Sequence, residues 1–472
     1  MRTRLGLTLL VIALTAVACS SSDNGDVSTT TPPTANATNG GESRFGEAPI
    51  APTGPLPATV VGELDDMFSS IGAGIDTAAV QRLGSSDDIR VAWLLADLLR
   101  FVQPGTPANG AAVEAWESLS GRQLVGERSD WGNSTDHLLA WDTPAPPGYV
   151  DWKRQLFEQV EPAWAPFFGD TNAEIDWRHV SWGGVLIDDR PLDQTHLGCP
   201  QGCIPALNDP GLTDAAGGDW YPDDRLVFGV EIEGVAVAFP KNIMEIHEMV
   251  NMTIAGRRIG MPYCTLCGSA QAYFTDEVAS EADLGGNDSY ELRTSGLLTR
   301  SNKVMYEFHT RSVFDTFTGE AVSGPLRELG VSLEQLTVQT STWGDWKAAY
   351  PSTSLVAEDG GIGRTYSEDP LRGRDDNGPI FPIGEVDERL PVQEPVIGVV
   401  GLDGATIAFR VTAANAVLEA GDSVEAAGVV ITSDGGGLVA SDRESGEPLA
   451  AHQAFWFAWS QFHPETILWD GL

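Results

Sequence analysis

Basic residues are scarce in this chain of 472 residues. Lysine and arginine together number 28, against 67 aspartates and glutamates, and the formal net charge at pH 7 is -39. A surface of this sign repels nucleic acid and anionic lipid headgroups, so we expect no nucleic-acid partner. We expect the acidic surface to serve solubility or adaptation to a salty medium rather than a cationic partner. The apolar share of 42% still allows a sizeable core and two or three domains.

Long apolar runs are missing as well, apart from one near the N-terminus. The stretch from Leu5 to Ala18 is apolar but too short to span a bilayer. Two arginines precede it, and the Ala-Val-Ala-Cys sequence that ends at Cys19 is typical of a lipobox with an imperfect first position. We predict that residues 1–19 are a lipoprotein signal; an ordinary cleaved signal peptide is the alternative. The predicted location is the extracytoplasmic face of the cell membrane, where lipid on Cys19 would anchor the protein.

Cysteine is rare, with five residues in the whole chain. Without Cys19, the other four form two close pairs, Cys199 with Cys203 and Cys264 with Cys267. An even number in an exported protein favours disulfides, and we predict one between Cys199 and Cys203. A bridge across so short a loop restrains the unfolded chain only weakly. A purely structural role is therefore less attractive for the Cys-X-X-Cys pair, although it stays open.

The remaining sequence predicts an α+β protein, predominantly β, with a helical subdomain on its N-terminal side. Apolar residues recur at helical spacing around Leu94, Leu95 and Leu98. Farther on, short β-branched runs are bounded by Gly, Asp or Pro, which is typical of strands. The predicted divisions are a disordered linker (20–57), a helical subdomain (58–130), an irregular Trp- and Pro-rich wrap (131–226), a β-rich unit with the Cys-X-X-Cys pair (227–356), a connector (357–395) and a second β-rich unit (396–472).

The two β-rich units resemble each other in sequence. Val-Phe-Gly-Val around Gly229 has a counterpart in Val-Ile-Gly-Val around Gly398. Four later residues recur at identical offsets: the first set is Trp346, Pro351, Thr353 and Leu355, and the second is Trp459, Pro464, Thr466 and Leu468. Chance similarity of short β motifs is the alternative, but the shared order predicts an internal duplication. Only the first unit contains cysteine and a His-Glu pair, which favours a chemical role for these residues.

Several motifs resemble one bacterial family. In chain order they are His247-Glu248-Met249-Val250-Asn251, Tyr263-Cys264-Thr265-Leu266-Cys267-Gly268-Ser269-Ala270, Ser295-Gly296-Leu297-Leu298, Thr318-Gly319-Glu320-Ala321 and Thr342-Trp343-Gly344-Asp345-Trp346. Over residues 140–470 the chain is similar to the family catalogued as domain of unknown function 3179 (DUF3179). The family has no settled activity, but some members are predicted selenoproteins, so the resemblance implies redox use of a cysteine-type position. Thr265, where the family usually has Pro, and His309-Thr310-Arg311 depart from the family pattern.

The Cys-X-X-Cys pair predicts thiol redox chemistry. A thiolate is the reactive form, and neighbouring positive charge lowers the pKa of a thiol. We predict that Cys264 attacks, Cys267 resolves, His247 supplies the positive charge and Glu248 orients the His247 ring. The alternating residues after the pair favour a strand–turn–strand corner over a thioredoxin fold. This chemistry requires no cofactor and implies a redox partner protein, and it requires sulfurs that lie near the His247 ring and are open to solvent.

Two other functions fit the same residues. Cys264, Cys267 and His247 could form a three-ligand site for zinc or copper, with a fourth position for water or substrate. The His-Glu-X-X-Asn sequence lacks the second histidine of a zincin helix, which counts against this metal-binding alternative. In the third alternative the protein is a non-catalytic binding or scaffold module, and His247 is a packing residue in a helix. The sequence therefore leaves open whether the protein is an enzyme.

Overall fold

The structure is a computed structural model that describes residues 43–71, 74–126, 128–194, 198–374, 376 and 378–471. The predicted lipoprotein signal, with Cys19, lies outside these residues. Within the described ranges, none of the helices has both the length and the apolar character needed to cross a membrane.

Helices make up the first part of the described chain, and local capping signals set several of their ends. Asp76 accepts hydrogen bonds from two backbone N–H groups of the second helix, and Thr106 caps the fourth, which begins with Pro107. Gly121 ends the fourth helix in a left-handed conformation, with φ of 66°. The helices are α1 Ala58–Ser70, α2 Thr77–Leu83, α3 Ala92–Phe101, α4 Pro107–Ser120, α5 Asp130–Ala140, α6 Tyr149–Val160, α7 Lys241–His247, α8 Pro325–Glu328, α9 Trp343–Ala349, α10 Val411–Glu419 and α11 Trp456–Phe462.

The helical part is longer than the sequence predicted. Helices α5 and α6 lie in the region 131–226, which we expected to be irregular. Ser129 caps α5, and a buried ion pair between Lys153 Nζ and Asp97 Oδ1, 2.7 Å apart, joins α6 to α3. Tryptophans of this region pack into one apolar core with the helices, among them Trp152, Trp164, Trp177 and Trp182. Helical structure therefore continues past the predicted boundary at residue 130.

Part of residues 43–57, the described end of the predicted disordered linker, is packed against the helices. Phe45 is buried, and its ring centre lies 5.0 Å from that of His137 in α5. The carbonyl of Gly46 accepts a hydrogen bond from Trp141 Nε1 at 3.1 Å. The prediction of disorder is therefore wrong for this part of the linker, because one aromatic side chain and a backbone carbonyl hold it in place.

Most strands follow the helical part. The first twelve are β1 Val180–Trp182, β2 Leu207–Asn208, β3 Leu212–Asp214, β4 Leu226–Ile232, β5 Val235–Pro240, β6 Met249–Ile254, β7 Arg257–Cys264, β8 Ser269–Ala270, β9 Ala272–Phe274, β10 Leu292–Thr299, β11 Asn302–Glu307 and β12 Val313–Asp315. The others are β13 Ala321–Ser323, β14 Gln335–Leu336, β15 Gln339–Thr342, β16 Ser354–Val356, β17 Pro395–Val400, β18 Thr406–Arg410, β19 Val424–Ala426, β20 Val429–Asp434, β21 Gly437–Asp442, β22 Pro448–Leu449, β23 Ala451–Phe455 and β24 Ile467–Trp469. Among the described residues, helical residues make up 29% and strand residues 26%, so helix and strand are mixed and strands do not predominate.

The strands form five sheets within the described residues. Their strand orders are β1-β10-β11-β12-β13, β14-β9-β7-β6-β2, β15-β4-β5-β16-β3, β23-β17-β18-β24 and β19-β20-β21-β22, and β8 pairs with β7. In the second sheet, β6 and β7 form an antiparallel hairpin in which Met249 lies opposite Pro262. The N–H of Tyr263 donates to the carbonyl of Glu248 at 2.9 Å. This register places Glu248 beside the strand end that carries Cys264.

Two of the sheets share one construction. In β15-β4-β5-β16 and in β23-β17-β18-β24, the first two pairings are antiparallel and the last is parallel. A helix, α9 or α11, joins the first strand to the last in each. A tryptophan of that helix lies buried over a strand glycine, and its Nε1 donates to a threonine hydroxyl at 2.9 Å; the two sets are Trp346, Gly229 and Thr353, and Trp459, Gly398 and Thr466. The residues that recur in sequence therefore have the same structural role in both sheets.

Candidate functional site

The Cys-X-X-Cys pair lies at a strand–turn–strand corner, as predicted. β7 ends at Cys264, one turn of 3-10 helix covers Thr265–Cys267, and β8 follows. Gly268, with φ of 58°, ends the turn and lies against the ring of Phe455 in β23. Cys264 and Cys267 form a disulfide. The structure therefore holds the pair in its oxidised form.

Both sulfurs of this disulfide lie inside the protein. Cys264 is 3% exposed and Cys267 is 0% exposed. The carbonyl oxygen of Ser301 lies 3.9 Å from the Cys264 sulfur and 3.5 Å from the Cys267 sulfur. Both cysteines share an apolar cluster with Phe317 and with Trp456 of the second β-rich unit. The expectation that the sulfurs are open to solvent is therefore wrong, because the second unit covers the turn, and attack on a disulfide requires access to sulfur.

Both ring nitrogens of His247 are bonded to groups other than the cysteines. Nδ1 lies 2.8 Å from the carbonyl oxygen of Pro205, and Nε2 lies 2.7 Å from the hydroxyl oxygen of Tyr366. Since a carbonyl only accepts, Nδ1 carries the proton and Nε2 accepts from the tyrosine hydroxyl. Burial lowers the pKa of His247 to about 4, so the ring is neutral at pH 7. These contacts contradict the predicted role of His247 as the positive charge beside Cys264.

Glu248 bonds to a lysine that the sequence motifs did not reveal. Lys303 Nζ donates to the Glu248 carbonyl at 2.5 Å and to Thr294 Oγ1 at 2.6 Å, and it lies 3.3 Å from Glu248 Oε2. Glu248 Oε1 accepts from the hydroxyl of Thr265, between the two cysteines, at 3.3 Å. Burial lowers the pKa of Lys303 to about 8. Glu248 therefore joins the cysteine turn to a buried cation and does not orient His247.

Several buried polar groups around the disulfide have no hydrogen-bond partner in the part of the chain that the structure describes. They are Ser269 Oγ, both amide atoms of Gln271, Ser301 Oγ and both amide atoms of Asn302. Ser269 lies opposite Cys264 in the β7–β8 pairing, and the Ser301 carbonyl contacts both sulfurs. Buried polar groups are nearly always bonded to protein or to ordered water. We call these four residues the polar chamber.

A cavity of about 250 Å³ adjoins the polar chamber. Asn302 belongs to both, and Lys303 and Asp315 also lie in the cavity wall. Burial raises the pKa of Asp315 to about 6, although two backbone N–H groups that donate to its carboxylate oppose this shift. Phe462 of α11 forms another part of the wall and stacks on Phe317, which packs beside the disulfide. Asn302 is therefore the residue at which this cavity meets the polar chamber.

The residues do not fit the predicted zinc or copper site. The two sulfurs are joined to each other, and the His247 nitrogens are bonded to a carbonyl and to a hydroxyl. Across the described ranges, no group of three or more His, Cys, Asp or Glu side chains is arranged to hold a metal ion. Cys199 and Cys203 form the disulfide that the sequence predicted, so their sulfurs do not supply further metal ligands.

The tyrosine that donates a hydrogen bond to His247 lies in the wall of a different cavity, which has a volume of about 260 Å³. Tyr366, which bonds to His247, lies in its wall, and this residue belongs to the predicted connector. Burial raises the pKa of Tyr366 to about 12, so its hydroxyl keeps the proton that it donates to His247. The wall also includes Trp220, Arg225, Asn242, Asp359 and Arg364. We call this space the tyrosine cavity.

Acidification is expected to destabilise the fold, in part through His247. Its pKa is 6.5 in an unfolded chain and about 4 in the folded protein, so the unfolded state binds the proton more tightly. The stability contributed by the neutral ring is complete above the unfolded pKa and is lost as the pH falls toward the folded pKa, by up to about 3 kcal/mol. The unfolding midpoint of His247→Gln should therefore fall less between neutral and acidic pH than that of the wild type. An equal fall in both proteins would contradict this assignment.

A protein-family model matches the chain over residues 201–446, which is more than half of its length. Its description is "Protein of unknown function (DUF3179)". The matched range contains the cysteine turn, the polar chamber and the tyrosine cavity, and it confirms the family that the motifs predicted. No curated protein and no solved structure matches the chain. The chain therefore belongs to the DUF3179 family, whose function is unknown.

Proposed function

We propose that this protein is a non-catalytic binding protein for a small molecule and that the tyrosine cavity is its binding site. The observation that carries the proposal is the composition of the cavity wall. Among the described residues, the wall combines aromatic rings with an arginine that has no acidic partner and with buried polar atoms that have no hydrogen bonds. Small-molecule pockets combine aromatic or apolar walls with a few convergent polar groups. The burial of the disulfide supports a structural role for Cys264 and Cys267 in the same protein.

The polar atoms of the wall support binding in a specific way. Trp220 Nε1 and Asn242 Oδ1 are buried, and neither has a hydrogen-bond partner among the described residues. The guanidinium carbon of Arg364 lies 5.5 Å from the Tyr366 ring centre, and no carboxylate in the described residues forms an ion pair with it. Acidic partners are abundant in a chain of net charge -39, so an arginine left without one favours an external anion.

His247 has a positioning role in this proposal. Its Nδ1 proton is fixed by the Pro205 carbonyl, so Nε2 can only accept, and the Tyr366 hydroxyl is held in the direction that donates to it. Fixing the hydroxyl also fixes the tyrosine ring in the cavity wall. A pre-organised wall binds a ligand more tightly because fewer side chains lose freedom on binding.

A thermal-shift screen of small polar metabolites tests this function on the full-length protein. We expect at least one compound to raise the unfolding midpoint of the wild type by several degrees, because ligands that bind only the folded state stabilise it. Tyr366→Ala should lose the shift. Arg443→Gln, a change at a side chain that is 61% exposed, should keep it. The proposal is contradicted if no compound in the library raises the unfolding midpoint, or if Tyr366→Ala keeps the shift.

Thiol redox activity is a second candidate, which the polar chamber favours because unbonded polar groups are expensive to keep around a purely structural bridge. In this case an external dithiol would supply two electrons and two protons, the Cys264–Cys267 bond would open to two thiols, and the donor would leave as a disulfide. A partner disulfide would take the electrons. Reduction of insulin disulfides with dithiothreitol as donor tests this candidate. If the wild type reduces insulin no faster than Cys264→Ser does, thiol redox activity is excluded.

We infer that the two β-rich units arose by internal duplication. The shared strand order and the two equivalent sets of tryptophan, glycine and threonine support this inference. The second unit lacks cysteine, and its helix α11 and strand β23 pack over the cysteine turn of the first unit. In this proposal the second unit therefore completes the scaffold and excludes solvent from the disulfide.

We propose that the protein is anchored at the extracytoplasmic face of the cell membrane by lipid on Cys19. The basic start, the apolar run and the lipobox sequence support this location. Metabolic labelling with an alkyne fatty acid should mark the wild type and leave Cys19→Ala unlabelled, and the variant should leave the membrane fraction. Equal labelling of both proteins would contradict the anchor.

A further inference from the structure

We propose that the tyrosine cavity takes a hydroxylated carboxylate, such as a sugar acid; this inference rests on the proposed binding function. Each unsatisfied group in the wall specifies one property of the ligand. Asn242 requires a hydrogen-bond donor, Trp220 requires an acceptor and Arg364 requires a negative charge. A hydroxy acid supplies all three on one small framework.

Asn242 requires a donor because of how its amide is oriented. Its Nδ2 donates to the carbonyl oxygen of Ser367 at 3.0 Å, and a carbonyl can face only the nitrogen end of the amide. The oxygen end, Oδ1, is therefore the atom left without a partner, and Asn242 is 3% exposed. Leaving a buried acceptor without a hydrogen-bond partner costs free energy. A ligand hydroxyl that donates to Oδ1 recovers this cost.

Trp220 requires an acceptor because its Nε1–H can only donate. This atom is buried and has no partner in the described chain. The Trp220 ring also packs 5.3 Å from that of Tyr221, which holds it in the wall. Hydroxyl oxygens and carboxylate oxygens both accept from an indole N–H. The flat rings of Trp220 and Tyr366 give a sugar-like ring an apolar surface to pack on.

Arg364 requires an anion, and its surroundings favour a carboxylate over a phosphate. Arg225, the other arginine of the wall, already donates to the carbonyl of Glu368. Glu358, Asp359 and Glu368 lie in the same wall. These carboxylates repel a doubly charged phosphate more strongly than a singly charged carboxylate, and they accept hydrogen bonds from ligand hydroxyls.

The size of the cavity limits the ligand to a small framework. Its volume of about 260 Å³ is below the range of about 300–1,000 Å³ that is usual for drug-sized ligands. A single hydroxylated ring or a short hydroxylated chain is therefore the expected framework. A polysaccharide or a peptide segment would have to extend out of the cavity.

Isothermal titration of the full-length protein tests the inference, with D-glucuronate, D-gluconate, D-glucose and inorganic phosphate as probes. We expect at least one of the two hydroxy acids to bind, and glucose and phosphate to bind at least tenfold more weakly. Arg364→Gln and Asn242→Ala should each weaken the hydroxy acid by about tenfold or more, the loss expected for a hydrogen bond or ion pair to a charged ligand. Arg443→Gln is the matched arginine control and should not change the affinity.

The outcomes separate this inference from the function on which it rests. Tight phosphate binding, or glucose binding as strong as that of the acids, would overturn the hydroxy-acid assignment and leave the cavity as a binding site. If a screened compound binds in a Tyr366-dependent way but neither acid binds, the hydroxy-acid assignment is overturned and the binding function stands. If Arg364→Gln fails to fold, Asn242→Ala still gives the answer. Unchanged hydroxy-acid affinity in Asn242→Ala would overturn the inference.

Discussion

Substituting alanine for Gly398 is expected to destabilise the protein by about 3 kcal/mol. A Cβ atom at this position would lie 2.1 Å from the ring of Trp459, which is far inside van der Waals contact. The ring cannot move aside, because Trp459 is 1% exposed and its Nε1 donates to Thr466 Oγ1 at 2.9 Å. Gly229 in the first unit should behave in the same way, since a Cβ there would lie 2.2 Å from the ring of Trp346.

Urea unfolding of Gly62→Ala provides the matched control. Gly62 is exposed in α1, and an added Cβ would meet nothing within 4 Å. Alanine favours the helix more than glycine does, so this variant should gain about 0.5–1 kcal/mol. If Gly398→Ala and Gly229→Ala were both as stable as the wild type, the equivalent packing of the two sheets would be contradicted.

Replacing Lys303 by methionine should destabilise the protein by about 3–5 kcal/mol, the usual cost of removing one partner of a buried ion pair. The side chain is 2% exposed, and it donates to the Glu248 carbonyl and to Thr294 Oγ1 as well as lying 3.3 Å from the Glu248 carboxylate. The carbonyl and the carboxylate of Glu248 and the hydroxyl of Thr294 would all lose their contact with the lysine ammonium group. Since Glu248 also holds Thr265, we expect the cysteine turn to open and the disulfide to become easier to reduce.

Lys347→Met is the control for this change. Lys347 pairs with Asp223 at 2.6 Å, but their side chains are 26% and 68% exposed. Exposed pairs contribute about 0–1 kcal/mol, so urea unfolding should detect little change. A Lys303→Met variant that is no less stable than Lys347→Met would show that the buried lysine does not support the turn.

The features that the sequence predicted are those set by neighbouring residues or by a strict steric requirement. The alternation after Cys267 fixed the strand–turn–strand corner, because a strand has a period of two residues. The glycines under Trp346 and Trp459 recur because no other residue leaves room for the ring. The even number of cysteines in two close pairs predicted the disulfide between Cys199 and Cys203. Local geometry decides each of these features.

The features that the sequence did not predict depend on distant residues. His247 bonds to Pro205 and Tyr366, which lie 42 and 119 positions away, and Lys303 lies 55 positions from Glu248. Pairings at such distances leave no periodic pattern in one sequence. A lysine directly before the apolar run Val304-Met305-Tyr306 in β11 was the one local signal available, since a buried cation requires a partner. Solvent exclusion from the disulfide depends on the second unit, so the Cys-X-X-Cys motif alone could not show it.

Alkylation of cysteine by iodoacetamide in the presence of dithiothreitol, carried out on the native, full-length protein, tests whether the Cys264–Cys267 disulfide is sealed from solvent. Peptide mass spectrometry then locates the modified residues, and Cys199, which is only partly buried, reports that the reagents are active. We expect modification of Cys199 and Cys203, whereas Cys264 and Cys267 should stay unmodified until the protein is unfolded. Complete modification of Cys264 under native conditions would contradict a structural disulfide. It would instead favour thiol redox activity of the cysteine turn.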